Sequence, residues 1–523
     1  MLCSVRRLLL LLIVTIWIPQ SAHAQDGSST ATTATTSTTL AEKAEGIEKK
    51  SKEVASAPAQ VSLSALKKQD VPADWFGRAR SAVGLLFMVF IAFLMSSGRK
   101  DISWRLVAMG ITIQVALGVI ALSPPGYVFF DFFNGVVMQL LNYTSEGSKF
   151  LFGNLAVQNN VAVGPSVIPM GDAASPGWIG NAKMGPVAPP SGPWLWAPIG
   201  AYFAFGVLPT IIFFSSFMAV LYHLGVMQFL VRIIAQVMQK TMRTSGSETL
   251  SAAGNIFVGQ TEAPLLVRPF VKGMTESELM AIMTGGFATV AGGVMVAYVG
   301  ILQGVFPDIA GHLLCASIMS APAALVIAKV IIPEADPTKS ETYGSLKLDL
   351  KSTDANIIDA AARGAGEGLK LALNVGAMLL AFIALIAMFN GLVGWGFGLI
   401  GFDGVSLEKI LGFLLSPLAW IMGVPWVDCQ AVGSLLGMKT VLNEFFAYLQ
   451  LGGMASGLQH RSLVISVYAL CGFANFASIA VQIGGISPMA PERRSDLARI
   501  GLRAMIGGTL AAFMTACVIG TMT

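Results

Sequence analysis

The chain has 523 residues, 54% of them apolar and only 12% charged, with a formal net charge of +4. Soluble domains carry roughly 25% charge; this poorer complement and a mean hydropathy of +0.70 exclude a soluble globular protein and indicate many membrane spans. The small, scattered positive excess excludes a nucleic-acid surface, and the five cysteines, without metal-ligand spacing, read as small buried residues.

At the N-terminus, Arg6 and Arg7 precede an apolar run from Leu8 to Ile18, and Ala22-His23-Ala24 offers a cleavage site. This is the pattern of a signal peptide over 1–24. The alternative is an uncleaved helix, for which the run falls short of the ~20 residues a span needs. Residues 25–73 are rich in Ser, Thr, Ala and Lys without apolar periodicity and are expected to form a disordered tail outside the cytoplasm.

Apolar runs long enough to span follow at about 81–97, 104–123, 197–224, 277–302, 309–333, 368–400, 461–485 and 499–521. Basic clusters mark alternate connections: Arg99, Lys100 and Arg105; Arg232, Lys240 and Arg243; Lys329, Lys339, Lys347 and Lys351; Arg493, Arg494, Arg499 and Arg503. With eight spans and an outside start, these clusters all face inward and the C-terminus outward. The Gly- and Pro-rich stretch 157–196 reads as an external loop.

Two apolar segments, 244–272 and about 415–455, are broken by Gly, Pro and charges. Such backbone is tolerated at membrane depth only inside protein or beside a wet cavity, so each is expected to form a re-entrant hairpin. The first carries Gly259-Gln260-Thr261-Glu262, followed by Gly286-Phe287-Ala288-Thr289 on the next span. The second carries Leu442-Asn443-Glu444-Phe445, followed by Gly472-Phe473-Ala474-Asn475. The charge rule sends the hairpins in from opposite sides, which makes an inverted repeat of the kind that builds transporter sites.

Glu262 and Glu444 are carboxylates within apolar hairpins. Such groups face a cavity or a partner. One reading is structural, with the carboxylate capped by backbone N–H groups or by nearby Lys439. The other is a substrate ligand. Carboxylates accept hydrogen bonds, and Gln260, Thr261, Asn443, Asn475 and Ser478 add neutral donors and acceptors. Together they suit an uncharged solute with several hydroxyls. Asn255 and Thr289, with Thr261 as a further candidate, offer oxygens to a small cation, and the glycine pairs around Thr289 would weaken that helix. Those glycines would equally serve close helix packing. His223, His312 and His460 lie near span ends, and the Phe-rich run 129–133 reads as an interfacial anchor. No nucleotide-binding loop is present in the sequence.

From about Ser81 to the C-terminus the chain resembles the concentrative nucleoside transporters. The resemblance rests on Thr244-Ser245-Gly246-Ser247-Glu248 through Asn255 to Ala263-Pro264, on Asp359-Ala360-Ala361 through Asn374-Val375, and on Pro417 through Pro425. The most specific stretch is Gly437-Met438-Lys439 through Asn443-Glu444-Phe445-Phe446-Ala447-Tyr448. It implies an all-α polytopic membrane protein with about eight transmembrane helices, two re-entrant hairpins, extra interfacial helices and a homotrimeric assembly. Residues 81–243 and 334–400 would give the scaffold, the latter with a cytoplasmic loop. Residues 244–333 and 401–523 would be the two repeats of a transport domain that moves as an elevator.

By the same resemblance, Gln260, Thr261 and Glu262 bind the nucleobase with Val294 beside it. Glu444, Asn475 and Ser478 bind the ribose, with Phe473 nearby. Sodium is held by Asn255 and Thr289 side chains and by the carbonyls of Val258 and Val290. Ala477 departs from the family, which often has a serine there. The implied function is sodium-coupled nucleoside import across a bacterial inner membrane, with no organic cofactor, no nucleic acid and no enzymatic step. The alternatives are a proton-coupled symporter of the same family, an intramembrane enzyme using the paired carboxylates, and a sensor that binds without transporting.

Overall fold

The structure is a computed structural model that describes residues 74–153, 156, 159–163, 195–199, 203–343, 354–399, 401 and 404–523. The signal peptide expected over 1–24, the tail over 25–73 and most of the loop 157–196 lie outside the described residues.

Helices α1 (Trp75–Leu94), α2 (Trp104–Ala121) and α3 (Pro124–Phe152) come first. No apolar run in the sequence marks α3 as a span. Asp131, Asn134, Asn142, Glu146 and Lys149 lower its hydropathy, yet Pro124 and Pro125 sit in its first turn, where proline's missing N–H costs nothing. Strands β1 (Asn159–Val163) and β2 (Leu195–Ile199) pair antiparallel, Asn159 opposite Ile199. They form a short ribbon at the two ends of the expected loop; the remainder of the described fold is helical. After α4 (Phe203–Gly206), α5 (Leu208–His223) leads into α6 (Val226–Met242). α6 buries Val231, Ala235, Met238 and Met242 and exposes Arg232 and Lys240, the i, i+3, i+4 stripe of an amphipathic helix.

The first repeat opens with α7 (Gly246–Asn255), whose start is fixed by a capping box between Ser245 and Glu248. The chain turns at 256–262 and returns as a 3₁₀ segment, Ala263–Gly273. Next come α8 (Glu276–Ala288), α9 (Gly292–Leu302) and α10 (Ile309–Ile331). α8 and α9 are one span broken at Thr289, whose backbone is extended (φ −119°, ψ 169°). β-branched Thr289 and Val290, followed by Gly292 and Gly293, make a poor helix at this point.

The long α11 (Ile357–Gly398) and α12 (Leu407–Ile421) precede the second repeat. Gly364 and Gly368 let α11 lie against α5; a Cβ built on Gly364 would fall 2.6 Å from the Ser215 carbonyl oxygen. The second hairpin is α13 (Cys429–Val441) and α14 (Glu444–Met454), followed by α15 (His460–Leu470), α16 (Phe476–Ile486) and α17 (Arg494–Met522). The span expected over 461–485 is therefore two short helices. The break contains Gly472 at φ +139°, a conformation in which glycine replaces any side chain. Cys315, Cys429, Cys471 and Cys517 are buried and unbridged, as small core residues.

Seven stretches among the described residues are long and apolar enough to cross a membrane: Trp75–Leu94, Trp104–Ala121, Ala204–His223, Glu276–Leu302, Ile309–Ile331, Ile357–Gly398 and Pro491–Met522. The eighth expected span is the broken α15–α16 pair. Burial divides the set. Within the chain, 83% of the Glu276–Leu302 window and 94% of the Ile309–Ile331 window are buried, against 22% for Ala204–His223 and 17% for Ile357–Gly398. The repeats form the core, α5 is half-buried, and α11 presents a broad apolar face outward.

Candidate functional site

The two broken spans exchange partners. α9, the second half of the first, packs on hairpin helix α14 of the other repeat. α16, the second half of the second, meets the turn of the first hairpin, where a Cβ built on Gly485 would lie 2.8 Å from Thr261 Cγ2. The breaks themselves touch, the Phe473 N–H donating to the Thr289 carbonyl at 3.3 Å.

Glu444, at the start of α14, is 4% exposed. Asn443 caps that helix, accepting from the Phe446 N–H at 2.8 Å, and so directs Glu444 into the protein. The Tyr298 hydroxyl from α9 donates to Glu444 Oε1 at 2.9 Å. Asn475 Nδ2 donates to Oε2 at 3.3 Å. Asn475 is itself the N-cap of α16, its Oδ1 accepting from the Ser478 N–H at 2.9 Å. Because a backbone N–H can only donate, that bond orients the amide and leaves its NH₂ for the carboxylate. Lys439 is fully buried but does not bond Glu444. Its Nζ donates to the Ala469 carbonyl at 2.8 Å, near the end of α15, where the helix dipole favours a cation.

Gln260 and Ser478 are brought together across the repeats, Gln260 Nε2 reaching Ser478 Oγ at 3.4 Å. Thr261 is half-buried beside them and Val294 is buried one turn before Tyr298 on α9. Glu262 is not drawn into this group. Its side chain is exposed and turns back on its own loop, the Gly259 N–H donating to Oε2 at 3.4 Å. Arg363 and Glu367 of α11 lie within its electrostatic reach. The two carboxylates therefore differ in setting. Glu444 is clamped and buried, while Glu262 is exposed.

Asn255, at the end of α7, is fully buried, and both polar atoms of its amide lack a hydrogen-bond partner. A buried amide left unsatisfied costs about 1–3 kcal/mol. Val258, Thr289 and Val290 are buried as well. The hairpin turn reaches the broken span through the Gly292 N–H, which donates to the Phe257 carbonyl at 3.0 Å. Thr289 Oγ1 donates its hydrogen to the Gly285 carbonyl at 2.9 Å, which leaves its lone pairs free to coordinate a cation. An oxygen-seeking cation would satisfy the Asn255 Oδ1.

Two residues at the site were not identified from the sequence. Tyr298 is fully buried and stacks on Tyr448 at 4.5 Å between ring centroids. Gln482 of α16 is fully buried and donates to Gln260 Oε1 at 3.1 Å. Gln482 carried a readable signal, as a lone amide in an apolar helix one turn beyond Ser478. An apolar pocket of about 220 Å³, lined by Leu117, Phe129, Phe130 and Ile318 among others, includes none of these residues.

Three family descriptions match the chain: "Na+ dependent nucleoside transporter N-terminus" over 83–155, "Nucleoside recognition" over 204–304 and "Na+ dependent nucleoside transporter C-terminus" over 312–520. The uncharacterized transporter YutK of Bacillus subtilis (strain 168) is 43% identical over 439 residues, covering 84% of this chain and 98% of that protein. Sodium/nucleoside cotransporter 1 of Mus musculus is 37% identical over 84% of this chain, which spans only 63% of that longer relative. The solved structure of CNTnw in an inward-facing substrate-bound state is 42% identical with a TM-score of 0.71, covering 85% of this chain and 97% of that one.

Proposed function

Because this chain belongs to the Na+-dependent nucleoside transporter family, we propose that it is a sodium-coupled nucleoside symporter that imports its substrate by an elevator movement. The reading rests chiefly on Glu444, a buried carboxylate held by Tyr298 at 2.9 Å and Asn475 at 3.3 Å from two different spans. Oxygens so held keep lone pairs for ribose hydroxyls, and a charged acceptor strengthens such bonds to about 1.5–3 kcal/mol.

In this reading Gln260 and Thr261 meet the nucleobase, with Val294 packed beside it, and Glu262 joins them only by swinging away from the Gly259 N–H that holds it at 3.4 Å. Glu444, Asn475 and Ser478 take the ribose, and Phe473 closes that side. Asn255 and Thr289, with the carbonyls of Val258 and Val290, take sodium. The unpartnered amide of Asn255 supports the assignment, because sodium would relieve it. Sodium and nucleoside are coupled when both favour the same ordered arrangement of the first hairpin and the breaks.

The contrast in burial supports a moving core of 244–333 and 401–523 against a scaffold of 81–243 and 334–400. The outward apolar face of α11 suits lipid and the neighbours of a homotrimer. The inner membrane of a bacterium, with the N-terminal tail and C-terminus outside, fits the distribution of basic clusters.

Radiolabelled uridine uptake into proteoliposomes tests the proposal. Accumulation driven by an inward sodium gradient, with intact nucleoside recovered, is expected. Indifference to sodium with stimulation by acid would assign the coupling to protons. Recovery of free base would indicate an enzyme, and binding without accumulation a sensor.

A further inference from the structure

We propose that Gln482 is a positioning residue that fixes which end of the Gln260 amide faces the nucleobase, and thereby sets the base edge the transporter accepts. The inference rests on the reading that Gln260 meets the base. Gln482 lies in the apolar helix α16 and is fully buried. Its Nε2 is 3.1 Å from the main-chain carbonyl of Met283 and 3.1 Å from Gln260 Oε1. A main-chain carbonyl only accepts, so the end of Gln482 facing Met283 must be its NH₂. The second hydrogen of that NH₂ points at Gln260, which must answer with an acceptor. Gln260 Oε1 is thereby held inward, and its NH₂ is turned towards Ser478 and the space between the hairpin turn and α16.

Two further observations bind this relay together. Gln482 Oε1 is buried without a partner, so the side chain is anchored through its NH₂. The approach to Met283 passes Gly286, where a Cβ would sit 2.7 Å from Gln482 Nε2. The relay runs from a fixed backbone atom to the substrate face, and its polarity cannot reverse while Gln482 is present. At this corner the site offers a donor. An accepted base must place a carbonyl oxygen or an unprotonated ring nitrogen there, and a base presenting N–H would meet donor with donor.

The test measures sodium-dependent binding of nucleosides to the purified full-length protein. Uridine, cytidine, adenosine and inosine are each compared with analogues lacking one base acceptor, and with their 3′-deoxy forms. In the unaltered protein, removing the acceptor opposite Gln260 should weaken binding about tenfold. In Gln482→Met the amide of Gln260 can turn, and that penalty should fall below about twofold while the 3′-deoxy penalty is unchanged. Gln482→Glu carries at most one carboxyl hydrogen, cannot serve both Met283 and Gln260, and should behave likewise. Gln260→Glu tests the relay with Gln482 intact. One oxygen is held by Gln482 and the other faces the base, so preference should invert towards bases with an amino group. An undiminished acceptor penalty in folded Gln482 variants, or no inversion in Gln260→Glu, would overturn the proposal. Failure of the unaltered protein to bind any nucleoside would instead strike the underlying functional reading.

Discussion

The N–H of Phe473 donates to the carbonyl of Thr289 at 3.3 Å, joining the unwound points of two broken helices that lie 184 positions apart in the chain. Each break frees backbone groups from its own helix, and here they find partners in each other. The contact also brings Thr289 next to the helix capped by Asn475 and carrying Ser478. In the proposed symport, this bond would give the two sites a direct physical link.

Gly472 makes the contact possible. A Cβ there would lie 2.7 Å from the Phe287 carbonyl oxygen, at φ +139°. Gly472→Ala is expected to destabilise the protein by roughly 2–3 kcal/mol, the scale of a strained backbone position. A clear fall in melting temperature checks this, and an unchanged melting curve would contradict it.

Tyr298→Phe removes the hydroxyl that holds Glu444 and keeps the ring against Tyr448 and Phe445. Loss of one hydrogen bond to a charged group costs about 1.5–3 kcal/mol. Titration calorimetry should find nucleoside binding weakened at least about tenfold, with sodium-dependent stabilisation retained.

Asn255→Ala deletes an amide that has no protein partner. Without sodium, relief of the unsatisfied group offsets the lost packing, so the melting temperature should hold or rise. The stabilisation that sodium confers by binding the folded state should vanish. A sodium-dependent shift of undiminished size in the variant would remove Asn255 from the cation site.

Lys329 pairs with Glu248 at 2.6 Å and faces Glu334 at 3.6 Å, and it donates to Ser277 at 2.9 Å. This buried network ties the start of the first hairpin to α8 and α10. Lys329→Met strands the carboxylates and is expected to cost roughly 3–5 kcal/mol. Adding Glu248→Gln should recover part of that loss, a non-additivity that chemical denaturation would detect.

Much of the site was legible because polar residues in apolar helices have few reasons to be there. Glu444, Asn475, Gln260, Ser478 and Asn255 all announced themselves in this way, and the two Gly-Phe-Ala-polar stretches marked the repeat, although only the first, at Thr289, was expected to unwind. The pairing across repeats was not legible. A tyrosine among apolar residues reads as core, so Tyr298 was passed over, and Lys439 lay near Glu444 in sequence but reached Ala469 instead. Helix α3 was lost because scattered polar residues masked its hydropathy, and the α15–α16 break because one glycine in an apolar run rarely unwinds a helix. Both depend on what packs alongside, which hydropathy cannot register.

The most direct measurement is uphill uridine uptake by Glu444→Gln in proteoliposomes under an imposed sodium gradient. If the clamped carboxylate holds the ribose, the unaltered protein accumulates uridine until the gradient is dissipated. The variant should then bind uridine weaker by roughly 1.5–3 kcal/mol, with 3′-deoxyuridine far less affected. Equal uptake and affinity in the two proteins would contradict a ribose site at Glu444.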